Sequence, residues 1–131
     1  MRNKYFWAAI SWTAVITVAC LVSAENFESL EKVDMPAKDK LLHAFFYFVF
    51  TVLWSYGLKT LKVSSAASRR GLAFAIAVGY GILMELFQWG ITNNRSADVL
   101  DAVANTVGSA LAVIVLWQYQ KRKLHRQSPA Y

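Results

Sequence analysis

Four apolar runs, each close to the thickness of a bilayer and separated by short charged segments, constrain this chain more than any other feature. They cover residues 5–24, 41–58, 71–91 and 99–117. A helix that crosses the hydrocarbon core needs roughly 20 mostly apolar residues, so each run reads as a span, the second and fourth at the short end. With 131 residues, of which 56% are hydrophobic, the chain is one domain's worth of sequence and too apolar for a soluble domain of its size. The expected fold is an all-α integral membrane bundle of four transmembrane helices in a single domain, 1–131. No internal repeat or low-complexity tract divides it.

The first run has a rival reading. Arg2 and Lys4, an apolar stretch, and then Val22, Ser23 and Ala24 imitate a cleaved signal peptide, but the run is long and rich in Trp for such a segment. Thr17 stands three residues before the single Cys20, where a lipoprotein signal would carry Leu. With no second cysteine, a disulfide or metal knuckle within the chain is excluded.

Orientation follows from Lys and Arg in the short segments. Arg2 and Lys4 precede the first run, Lys59, Lys62, Arg69 and Arg70 lie between the second and third, and Lys121, Arg122, Lys123 and Arg126 follow the fourth. Such segments stay in the cytoplasm. By contrast 25–40 sets Lys32, Lys38 and Lys40 against five acids, and 92–98 carries Arg95 alone among cations. The topology expected is up-down-up-down with both termini cytoplasmic. Although the chain carries a net charge of +6, its cations sit at the ends of apolar runs rather than on one solvated face, so nucleic acid is not an expected partner. Phe27, Leu30 and Val33 recur at helical spacing and suggest a short helix on the outer surface before Pro36. The polar tail from His125 onward is expected to be disordered.

Topology sorts the remaining polar residues by depth. Asp39, Lys40 and His43 open the second run, Glu85 and Gln88 close the third, Arg95 lies in the outer loop, and Asp98, Asp101 and Asn105 open the fourth. At about 1.5 Å per residue, His43, Glu85, Gln88, Asp101 and Asn105 fall within a slab of roughly 10 Å beneath the outer surface. The inner half of every run lacks an ionisable residue. Asp98, Asp101, Asn105 and Gly108 share one helix face, Gly81, Glu85 and Gln88 another, and Asp39 and His43 stand one turn apart. Each longer stripe ends on a glycine, as expected where helices approach closely to hide polar groups from lipid. The three stripes are expected to face one another, with the first run contributing nothing to them.

Plainer roles compete at each position. Gln88 and Asn105 read as interhelical hydrogen bonds, Asp39 and Asp98 as helix caps, and Arg95 as a solvated charge. Glu85 is hardest to dismiss, because a carboxylate in an apolar helix is costly unless paired or protonated, and Arg95 or His43 could pair it. The aromatic group Phe45, Phe46, Tyr47, Phe48 and Phe50 reads as packing and lipid contact. Asn94, Arg95 and Ser96 match a glycosylation acceptor in form only. No cofactor is expected, and no metal, since the His, Glu and Asp residues lack a diagnostic spacing.

In order, Asp39, Lys40 and His43, then Glu85 and Gln88, then Arg95, Asp98 and Asp101, then Asn105 and Gly108 form a series that resembles the VanZ-like family of bacterial membrane proteins over residues 36–117. No element of the series is missing. The family is named for a protein associated with resistance to teicoplanin, a glycopeptide with a fatty acyl chain. The resemblance implies a bacterial inner-membrane location and a cell-envelope role, without implying a reaction. Taken with the resemblance, the residues point first to a site that binds or shields a lipid head group, a lipid-linked envelope precursor or a lipidated glycopeptide, formed by Asp39, Lys40, His43, Glu85, Gln88, Arg95, Asp98, Asp101 and Asn105. Second stands an acid-base enzyme on a lipid-linked substrate, with His43, Glu85 and Asp101 as candidate catalytic groups. Transport is disfavoured by the bare inner half unless the chain forms a homo-oligomer.

Overall fold

A computed structural model describes residues 3–30, 36–91 and 98–127. Those residues form four helices: α1 (Lys4–Leu30), α2 (Pro36–Gly57), α3 (Ala66–Ile91) and α4 (Val99–Gln127). Three of them, α1 through its stretch Lys4–Val22, α3 and α4, are long and apolar enough to cross a membrane. The exception is α2, which spends part of its 22 residues on Lys40, His43, Thr51 and Ser55.

Local sequence explains where the helices start. The Ser65 hydroxyl accepts from the Ser68 amide at 2.9 Å and caps α3. Asp98 does the same for α4, accepting from the Leu100 amide at 2.8 Å. Pro36 opens α2, where its missing N–H costs nothing. Asp39 therefore lies inside the first turn of α2 instead of capping it. Between α2 and α3, Arg69 donates to the carbonyls of Val63 and Ser64, each at 2.8 Å, and Lys62 takes a left-handed backbone (φ 62°).

Two boundaries differ from those expected. α1 runs without a break to Leu30, so Phe27 and Leu30 extend the first helix and open no separate one; Val33 lies outside the described residues. α4 continues through His125 to Gln127 where a disordered tail was expected. In both places an existing helix simply propagates, which avoids the cost of nucleation, and in α4 the added Gln, Lys, Arg and Leu residues are good helix formers.

Packing places α2 at the centre, against each of the other three helices. Contacts fix the directions: Lys40 meets Asp98 and Asp101, and Ala44 meets Gly108, so α2 and α4 run side by side in one sense. Gly57 lies against Phe6, and Tyr5 against Tyr56, so α1 runs opposite to α2. Trp12 donates its indole N–H to the Phe46 carbonyl at 3.0 Å and Trp54 donates to the Thr13 hydroxyl at 3.2 Å, fastening those two helices. Ile16, Tyr47, Phe50 and Ala77 form the apolar core, and Phe50 stacks on Tyr80 with ring centroids 5.4 Å apart.

Outside and inside are inverted relative to a soluble protein. Trp7, Val18, Leu41, Phe45, Ile82, Leu86, Trp89, Val103 and Val107 are exposed, whereas Thr51, Ser55, Glu85, Gln88, Asp101, Asn105 and Ser109 are buried. Water would penalise that arrangement and lipid favours it.

Candidate functional site

The site forms where α2 and α4 begin together. Parallel helices can present two N-terminal turns side by side only if their backbones come close, and Gly108 permits this. A Cβ built there would run into the Ala44 carbonyl oxygen and lie 2.7 Å from the Ala44 carbonyl carbon and Cα. The close approach expected at this glycine is thus present, and it sets the register of everything above it.

One turn and two turns closer to the helix starts stand the polar side chains. The Lys40 ammonium donates to Asp101 Oδ1 at 2.8 Å and to Asp98 Oδ2 at 3.1 Å. Asp101 is fully buried, and Asp98 is 41% exposed, so Lys40 bridges the floor of the cluster to its rim. A buried carboxylate survives in a bundle when a cation and hydrogen bonds replace its water. Lys40 and Asp98 lie just outside the apolar stretches. The hydrogen bond to Asp101 holds the Lys40 ammonium above its ordinary pKa, against the opposing effect of its own burial. Burial pushes the Asp98 carboxyl up, but the Lys40 hydrogen bond and the Leu100 amide outweigh it and hold Asp98 below the usual carboxylate range.

His43 occupies the next turn of α2. Its Nδ1 lies 3.1 Å from Asn105 Oδ1, and its Nε2 lies 3.8 Å from both Asp39 Oδ1 and Asp101 Oδ2. Nδ1 is thus within hydrogen-bond reach of the Asn105 side chain, and Nε2 faces two carboxylates. Asn105 itself is buried on α4 and reaches toward α3, where a Cβ on Gly81 would sit 3.2 Å from its Nδ2 and 3.2 Å from Tyr47.

The structure therefore brings six of the nine sequence candidates into one contact network: Asp39, Lys40, His43, Asp98, Asp101 and Asn105. Glu85 and Gln88 are buried on α3. Gln88 donates its amide to the Cys20 carbonyl of α1 at 3.1 Å, so the expectation that the first helix takes no part in the polar stripes is corrected: the end of the α3 stripe turns to α1. Glu85 stands within electrostatic reach of Tyr47. Arg95, and with it the expected pairing of Arg95 with Glu85, lies outside the described residues. Tyr47, expected as a packing aromatic, does pack: its side chain is 1% exposed, belongs to the apolar core and touches α3 at both Tyr80 and Gly81.

Chemically, the cluster holds one imidazole, three carboxylates, one ammonium and one amide, graded from the half-exposed Asp39 and Asp98 to the buried Asp101. Asp39, His43 and Asp101 each offer a donor atom within 4.8 Å of the others, a grouping that linear spacing did not reveal because Asp101 comes from a different helix.

The chain is also similar to known proteins. The model of the VanZ/LLP1 family matches residues 4–120. An uncharacterised protein of Schizosaccharomyces pombe is 28% identical over 115 residues, which cover 86% of this chain and 67% of that protein. No solved structure matches the chain at a significant level.

Proposed function

The chain belongs to the VanZ/LLP1 family, and from that premise we propose that it is a multi-pass membrane protein of the cell envelope whose polar cluster binds the head group of a membrane lipid or lipid-linked envelope precursor. In this reading α2 is a fourth span whose outer surface is mostly taken by its neighbours. The bundle runs up-down-up-down with both termini cytoplasmic, and the cluster faces the outer leaflet of a bacterial inner membrane. The observation that carries it is the position of the Lys40, Asp98, Asp101, His43 and Asn105 network at one end of a bundle whose sides are apolar. A head group at that height meets both donors and acceptors, while its acyl chains lie along exposed Leu41, Leu42 and Phe45.

Lipids retained by the purified full-length chain, read by native mass spectrometry, test the proposal. Wild type is expected to keep a defined lipid, and His43→Ala to lose it while retaining its fold. Equal retention by both proteins would remove the head-group site. A second reading, acid-base catalysis on a lipid-linked substrate, rests on His43 facing Asp101 and Asp39. Under it, His43→Ala keeps the lipid and loses turnover. Orientation is tested in a Cys20→Ser background: Lys38→Cys is expected to react with an impermeant thiol reagent in intact cells, and Lys62→Cys is not.

A further inference from the structure

We propose that Asp39, His43 and Asp101 form a binding site for one divalent transition metal ion of the zinc class. The first ground is distance. His43 Nε2 stands 3.8 Å from an oxygen of each aspartate, too far for a direct hydrogen bond, which requires about 2.7–3.2 Å. Donors that share one cation at about 2.0–2.2 Å sit roughly 3–3.6 Å apart, so a small contraction of this triangle completes three coordination positions. All three donor atoms lie within 4.8 Å of one another.

The second ground is the ring's orientation, which comes from outside the triangle. Asn105 Oδ1, 3.1 Å from Nδ1, holds the ring so that Nε2 faces the two carboxylates. A cation between Nε2 and the two carboxylates would be attracted by all three groups. A ligating histidine characteristically gives its other ring nitrogen to an oxygen acceptor in this manner. Lys40 engages Asp101 Oδ1 at 2.8 Å, and Asp101 Oδ2 lies 3.8 Å from His43 Nε2. One imidazole nitrogen and two carboxylate oxygens suit zinc or manganese.

Asp39 is 52% exposed and Asp101 fully buried, so the ion would be approached past Asp39, from the rim of the cluster. Three protein donors leave a coordination position for an oxygen from solvent or a bound molecule. The site shares residues with the proposed head-group site, but it requires the metal alone.

The test uses the full-length chain in detergent, stripped with a chelator and titrated with Zn²⁺ by calorimetry and with Co²⁺ by its visible absorption. Wild type is expected to bind one equivalent and to give a Co²⁺ spectrum of low-symmetry N and O ligation. His43→Ala and Asp39→Asn should abolish both signals, Asn105→Ala should weaken binding about tenfold or more, and Lys121→Ala should leave it unchanged. Asp39 is half-exposed, so Asp39→Asn reports on the site even where Asp101→Asn fails to fold. No binding by wild type, or one-to-one binding unaffected by both His43→Ala and Asp39→Asn, would overturn the proposal. A chain that keeps lipid without metal sinks this inference alone; one that keeps metal without lipid sinks the head-group reading alone.

Discussion

At the end of the bundle where α2 and α4 begin, Lys40 meets two aspartates; at the opposite end, among the described residues, nine Lys and Arg stand with no acid among them. The described cations of the basic end find other partners. Arg69 binds carbonyls and Arg70 the Gln120 side chain, while Lys121 lies over the Trp117 ring at 5.3 Å and Lys4 over Tyr5 at 5.1 Å. These contacts leave the charges in water or at lipid head groups, where their sum governs topology. At the paired end, burial makes each charge depend on a particular neighbour. Under the proposed function the two ends thus serve two purposes: one would orient the chain and the other would form the site.

Substitutions should separate these roles. The largest effect is expected at the floor of the paired end, where Gly108→Leu would force α2 and α4 apart at Ala44. Overpacking of this kind costs about 1–3 kcal/mol or more, and thermal unfolding in detergent should show it. An unchanged melting temperature would mean that the close approach does not hold the site. Next comes Asp101→Asn, which leaves Lys40 with only the half-exposed Asp98. A loss of about 2 kcal/mol is expected, against a loss below about 1 kcal/mol for Asp98→Asn. If the two variants were equal, the gradient from buried floor to exposed rim would be wrong.

The basic end should respond in the opposite way. Lys62→Gly relieves a left-handed backbone at a residue with a Cβ and should stabilise the fold by about 0.5–1 kcal/mol in the same unfolding assay. Lys121→Ala combined with Lys123→Ala should change stability by less than about 0.5 kcal/mol. A large destabilisation from that pair would give the α4 extension a structural role that its exposed side chains do not suggest.

Much of this contrast is legible in the order of the residues. The stripe of Asp98, Asp101, Asn105 and Gly108 is a matter of helical period, and the glycine at its foot marks a close approach that the Ala44 contact bears out. Pairing is not legible. Lys40 and Asp101 are 61 positions apart, and nothing in a linear pattern tells which of several cations a buried acid will meet. Gln88 shows the same limit, because its stripe predicts a face but not that the amide reaches past the cluster to the Cys20 carbonyl on α1. The ends of α1 and α4 differ from expectation because hydropathy marks where lipid stops, whereas a helix stops only where its hydrogen bonding or its residues compel it.

A photoactivatable phospholipid, cross-linked to the full-length chain in membranes and mapped by peptide mass spectrometry, probes the distinction between a site and an orienting charge most directly. The expected result is attachment concentrated at residues 39–43 and 98–105 and abolished by His43→Ala. Attachment concentrated instead at residues 117–127, and indifferent to His43, would contradict it.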